Sequence, residues 1–184
     1  MIRLALAATL ATLALGTASA QTAPGQGPLD ISADRGEVFD SEGRVIYTGD
    51  VNVVRGDTRL RADVVEAFFN REDGGGFSQL ERIVAVGNVY YVTPTEIARG
   101  DYGVYDLLND QITLTGSVVL TQGCNVSTGA RLDANLSGGQ ARLSSSEGNQ
   151  RVRSVFFSEE DQAEDPRDCP RPTIPGAGPR PFDG

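Results

Sequence analysis

QITLTGSVVLTQG, residues 111–123, alternates apolar and polar side chains on either side of a glycine. Ile112, Leu114, Val118 and Leu120 fall on one face; Gln111, Thr113, Thr115, Ser117 and Thr121 fall on the other, and Val119 breaks the pattern. A period of two means extended chain with one buried face, and a Val- and Thr-rich composition suits a pleated surface. Gly116 allows a sharp bend or bulge where a strand crosses from one sheet to the other.

The same pattern recurs upstream. VIYTGDVNVVRGDTRLRADVVEAFF and IVAVGNVYYVTPTEIARGDYGVYDL superpose on ITLTGSVVLTQGCNVSTGARLDANL, with corners at Gly49, Gly87 and Gly116. Thirteen residues after each corner stands a small residue, Ala62, Gly100 or Gly129, followed by Asp63, Asp101 or Ala130. A partial earlier copy (ISADRGEVFD, 31–40) and a later one (SGGQARLSSS, 137–146) extend the array. The insert REDGGGFS (71–78) accounts for the longer first interval and reads as a hairpin loop. Short stretches of four to seven residues, interrupted by Gly, Asn and Asp, predict an all-β chain of repeated antiparallel strands.

Aligned on the corners, one apolar column runs Val45, Tyr47, Val51, Val53; then Ile83, Ala85, Val89, Tyr91; then Ile112, Leu114, Val118, Leu120. A second contains Val65, Ala67, Phe69; Tyr105, Leu107; and Leu132, Ala134, Leu136. Repeats with a single apolar face must stack to cover it, which predicts two facing sheets: a sandwich or an elongated, open-ended jelly roll. The phase is obscure at 58–61, 96–99 and 125–128, where a bulge in one of the repeats would account for it. Asp63 and Asp101 read as turn residues bonding their own backbone rather than as a catalytic carboxylate pair.

Met1-Ile2-Arg3, the apolar run Leu4–Gly16 and Ala18-Ser19-Ala20 predict a signal peptide (1–20) cut after Ala20, hence export to the periplasm. Residues 21–28 read as a flexible leader, 29–157 as the folded domain, and the acidic, Pro-rich 158–184 as a disordered tail. The net charge of -9 argues against nucleic acid as a partner. Histidine is absent, which removes the commonest general base and metal ligand. No phosphate-binding Gly-Lys loop occurs, and neither a metal nor a cofactor is expected. The reading is of a protein that is not an enzyme. Cys124 and Cys169, far apart and in an exported chain, are candidates for one disulfide tying the tail to the domain, the alternative being two free thiols.

The runs ISAD, YTGDVNVVRGDTRLRAD, AVGNV and ARGDYGVYD…ITLTGSVVLTQG…RL resemble the LptA/OstA family, the periplasmic bridge of lipopolysaccharide export, over about residues 29–145. Ser117 and Ala130 depart from its third repeat, and Cys124 and the tail look like additions. The resemblance implies a β-jelly-roll whose interior shields lipopolysaccharide acyl chains between inner and outer membranes. It makes Val45, Tyr47, Val51, Val53, Ile83, Val89, Tyr91, Ile112, Leu114, Val118, Leu120, Leu132 and Leu136 the lipid-groove candidates. It also implies head-to-tail docking, through edge strands, with LptC-like and LptD-like jelly rolls and with further copies of the chain. The expected docking edges are about Leu29–Val38 and Ala141–Phe157. The alternative is a structural or assembly β protein of the envelope with no lipid ligand.

Overall fold

A computed structural model describes residues 27–71, 76–146, 151–158 and Cys169. The proposed signal peptide and most of the leader and tail lie outside these residues, as does the centre of the 71–78 insert. The described chain forms β1 (Asp30–Ser32), β2 (Arg35–Phe39), a 3-10 turn (Asp40–Glu42), β3 (Arg44–Arg55), β4 (Thr58–Arg71), β5 (Phe77–Val92), β6 (Glu96–Asp106), β7 (Gln111–Gln122), β8 (Asn125–Asn135), β9 (Gln140–Ser144) and β10 (Arg153–Val155). All pairings are antiparallel and follow the sequence from β3 to β8. At one end β1 and β2 both pair with β3; at the other, β9 and β10 both pair with β8. Among the described residues the two ends do not pair with each other, so the sheet is open.

The short stretches seen in the sequence join pairwise into single strands of 11–16 residues from β3 to β8. Each of these strands passes through a corner without losing its partners, because the ladder breaks there for only a few residues. The register shifts at the corners lie between Thr48 and Val51, Arg61 and Val64, Val86 and Val89, Arg99 and Tyr102, and Thr115 and Val118; β4 and β5 shift again near the insert, around Phe69. The corner shifts align from strand to strand and make a crease across the whole sheet. In each pair the extra residue is on the corner strand, Gly49-Asp50 opposite Asp63, Gly87-Asn88 opposite Asp101 and Gly116-Ser117 opposite Ala130, so the bulges sit at the glycine corners, and 58–61, 96–99 and 125–128 pair in regular register.

The crease has a local chemical cause. Gly49, Gly87 and Gly116 have φ of 86°, 77° and 102°, a region where other residues are strained. Asp50 and Asn88 follow at 38° and 44°, which Asp and Asn tolerate better than other side chains. Ser117 is not left-handed, which accounts for the departure from Asp or Asn at that corner. The repeated aspartates do not bond their own turns, as the sequence reading had it. Each reaches across to the corner of the neighbouring strand. The Asp101 carboxylate accepts the Ser117 N–H at 3.0 Å, and Asp63 accepts the Asn88 amide at 3.0 Å. The Asp34 N–H donates to the Gly49 carbonyl at 3.1 Å. A Cβ on any of these three glycines would overlap the facing carboxylate of Asp34, Asp63 or Asp101. Ala130 lies between Thr128, which pairs with Arg153, and Arg131, which pairs with Ser144.

Folded along the crease, the sheet has two leaves with their apolar sides facing. The first leaf holds residues 51–55, 58–61, 89–92, 96–99, 118–122 and 125–129, with β1 and β10 at its ends. The second holds 44–48, 64–71, 77–86, 102–106, 111–115 and 131–135, with β2 and β9. One core cluster joins them: Val51, Leu60, Val89, Ala98 and Val118 from the first leaf meet Val65, Ile83, Ala85, Leu114 and Leu132 from the second. The hairpin around the insert closes with stacked Phe69 and Phe77 rings, 4.8 Å apart.

Candidate functional site

Strand pairing puts directly opposite residues on the same side of a sheet. Val45, Ala67, Ile83, Tyr105, Ile112 and Ala134 thus form one inward rank, and Tyr47, Val65, Ala85, Gly103, Leu114 and Leu132 the next. In the first leaf, Val53, Leu60, Tyr91, Ala98 and Leu120 do the same. The structure brings twelve of the thirteen groove candidates to one core: all but Val45 belong to the cluster or pack against it, and Val45 is itself buried. Tyr47 and Leu136 are half-buried.

Exposure rises with distance from the crease. Val51, Val89 and Val118 are 0, 0 and 1% exposed, whereas Val53, Tyr91 and Leu120, two residues further along each strand, are 4, 8 and 8% exposed. The crease side is a closed packing seam, and the far side, where the tips of the two leaves meet, is the side by which the interior can be reached. Half-buried Leu80, Leu107, Ala134, Leu136 and Leu143 pack against the core along the second leaf. Leu60, Ala98 and Leu143 went unnoticed in the sequence, the first two because they fall in the stretches where the phase is obscure.

At the tips, Tyr105 of the second apolar column meets two polar groups, Arg55 and Asp110, that periodicity did not single out. Arg55, at the end of β3 in the first leaf, donates from Nη1 to the Tyr105 hydroxyl of the second leaf at 3.4 Å. Tyr105 in turn donates to Asp110 Oδ1 at 3.1 Å, and Ser137 donates to the other Asp110 oxygen. Burial pushes the Tyr91 hydroxyl up to about 12, partly offset by its hydrogen bond with Thr58, with Tyr105, Asp110 and Glu96 adding to the rise. Burial also raises Tyr105, and Asp110 adds to it.

Both ends of the sheet present broken edge strands. β1 and β2 fall within the expected Leu29–Val38 edge apart from Phe39, and β9 and β10 lie in the other apart from Gln140. Val38 and Phe156, 65 and 74% exposed, are the most exposed large apolar residues described. Cys124 and Cys169 are bridged, with Cα atoms 5.3 Å apart, at the turn joining β7 to β8. Asn125 beside it accepts the Phe157 N–H at 2.9 Å, so the same turn also holds the chain leaving β10.

Residues 30–140 match the family model described as LptA/(LptD N-terminal domain) LPS transport protein. The chain belongs to that family. An uncharacterized protein of Rhizobium meliloti (strain 1021) is 32% identical over 130 residues, covering 68% of this chain and 70% of that one. Among solved structures, LptH of Pseudomonas aeruginosa is similar with a TM-score of 0.60 and 22% identity, over 71% of this chain and 96% of that one. LptH is described as the LptA homologous periplasmic component of the lipopolysaccharide transport device. At that identity the likeness bears on the fold: this LptA/LptD_N member shares its open, antiparallel jelly roll. The match ends at residue 140, so β9 apart from its first residue, β10 and Cys169 lie beyond it, while the other half of the disulfide, Cys124, lies within it.

Proposed function

We propose that this protein is a periplasmic carrier that shields the acyl chains of lipopolysaccharide on their way from the inner to the outer membrane. The observation that carries the reading is the continuous apolar interior, sealed along the crease and less buried toward the tips, in a sheet left open at both ends. Each methylene moved out of water is worth about 0.8 kcal/mol, so one acyl chain of a dozen carbons gains roughly 10 kcal/mol by lying between the leaves. A lipid with several such chains does not cross an aqueous gap unshielded. The role needs geometry and apolar surface rather than a catalytic group.

The broken edges β1/β2 and β9/β10 supply unpaired backbone groups for β-augmentation. Head-to-tail docking with LptC-like and LptD-like jelly rolls, or with another copy, would align successive interiors into one path. A cleaved signal peptide at 1–20 would deliver the chain to that compartment.

The test is photo-crosslinking in living cells. A crosslinker at Val53 or Leu120, inward and near the tips, should capture lipopolysaccharide, one at Val118 by the crease should capture less, and outward Asn52 none. Capture of protein alone from Val53 and Leu120, with Asn52 behaving alike, would leave a structural envelope protein as the better reading.

A further inference from the structure

The tips of the two leaves enclose a cavity of about 430 Å³ that the shielding of acyl chains does not require. Arg55, Thr58, Tyr91 and Glu96 line it from the first leaf, and Tyr105, Asp110, Asn135 and Gln140 from the second. Its volume falls in the roughly 300–1,000 Å³ range of small-molecule sites. Ala134, Leu136 and the ring of Tyr91 line it too and also belong to the apolar interior or pack against it, so the two spaces are continuous.

Its chemistry is selective. Asp57, Glu96 and Asp110 face one guanidinium, Arg55, so an incoming anion meets more like charge than opposite charge. What the lining offers is a set of planar carboxylate, amide and guanidinium groups in fixed orientations, with two tyrosine rings that are 92 and 93% buried because only 8 and 7% of their surface is exposed. Such groups pair with ligands that both donate and accept hydrogen bonds without carrying charge. The Arg55–Tyr105 bond already spans the leaves, and it and the Tyr105–Asp110 bond are the ones a ligand would replace.

We infer that this lip is a saccharide-binding subsite that holds the uncharged sugar hydroxyls of a glycolipid while its acyl chains lie between the leaves. The inference rests on the carrier reading above. Asp110 and Glu96 accept hydrogen bonds from sugar hydroxyls, Arg55 donates to ring or hydroxyl oxygens, and charged substituents of the same headgroup stay outside in water. Arg55, Tyr105 and Asp110 then set which lipid is carried, whereas Val53 and Leu120 do not distinguish one acyl chain from another.

The experiment compares two probes with the same alkyl chain, dodecyl maltoside and dodecyl phosphate, titrated below their micelle concentrations into the full chain by calorimetry. The parent should bind the maltoside roughly tenfold more tightly. R55Q, Y105F and D110N should each weaken the maltoside by several-fold to tenfold, with dodecyl phosphate unchanged or, for D110N, improved. The phosphate probe reports at once whether a variant retains its apolar interior, and Y105F removes one oxygen, so at least one variant keeps the fold. Equal loss for both probes in variants with native circular dichroism, or a parent that prefers the phosphate, overturns the subsite and leaves the carrier reading standing. A parent that binds neither probe overturns both.

Discussion

Replacing Gly87 with alanine tests the crease at its centre. Gly87 has φ of 77°, and an L-residue there costs about 1–2 kcal/mol. Its new Cβ would also overlap the Asp63 carboxylate, which must swing away and release the Asn88 amide it accepts at 3.0 Å. That bond is exposed, so its loss adds at most about 1 kcal/mol. The expected total is about 2–3 kcal/mol, a fall in Tm of roughly 8–12 °C for a domain of this size. Asp63→Ala removes both the obstacle and the bond. In the double variant only the backbone strain and the lost bond should remain, so it should be about 1 kcal/mol more stable than the two single losses added together. Urea unfolding of the parent chain and the three variants measures this. A Gly87→Ala chain as stable as its parent, or strictly additive losses, would mean that the aspartate is not wedged against the corner.

Three further outcomes follow from the structure. Leu114→Ala, at a fully buried site, should cost about 2–5 kcal/mol in urea unfolding, and Val86→Ser, 42% exposed on the outer side, under about 1. Tyr91 ionises near 10 when unfolded and near 12 when folded, so the unfolded chain loses its proton first. Stability present below pH 10 should fall as pH rises to 12, by up to about 3 kcal/mol, and Tyr91→Phe should flatten that fall in denaturant midpoints. Reducing Cys124–Cys169 opens a loop with a sequence separation of 45, worth at most about 4 kcal/mol in chain entropy. Hydrogen exchange should then speed up first at Arg153–Val155, held by only three residue pairs, and leave Leu114 and Val118 protected.

Much of the fold was legible because alternation and glycine act locally. Ile112, Leu114, Val118 and Leu120 announce their inward side within a single strand, and the three corners announce one another by repetition. The alternation keeps its phase through Gly116, so the crossing of one strand at that corner was legible as well; what it could not show is which residue of the neighbouring strand each corner faces. Asp101 shows a related limit. Its partner, Ser117, is 16 residues away on the next strand, so a local reading assigns it to its own turn. The interior half of the candidate site was visible as columns; the lip was not. Arg55, Tyr105 and Asp110 meet only because the sheet folds on itself, and no period in the sequence links 55 to 105.

The crease has a further consequence for length. Every strand from β3 to β8 crosses it in the same way, so the cross-section is much the same at each step along the sheet. With about 4.8 Å per strand, six long strands and a broken one at either end span about 35 Å. Duplicating one strand pair, corner and aspartate included, would lengthen the trough by about 10 Å and leave its bore unaltered. Reach and bore are thus independent variables here: one is set by counting repeats, the other by the side chains within each.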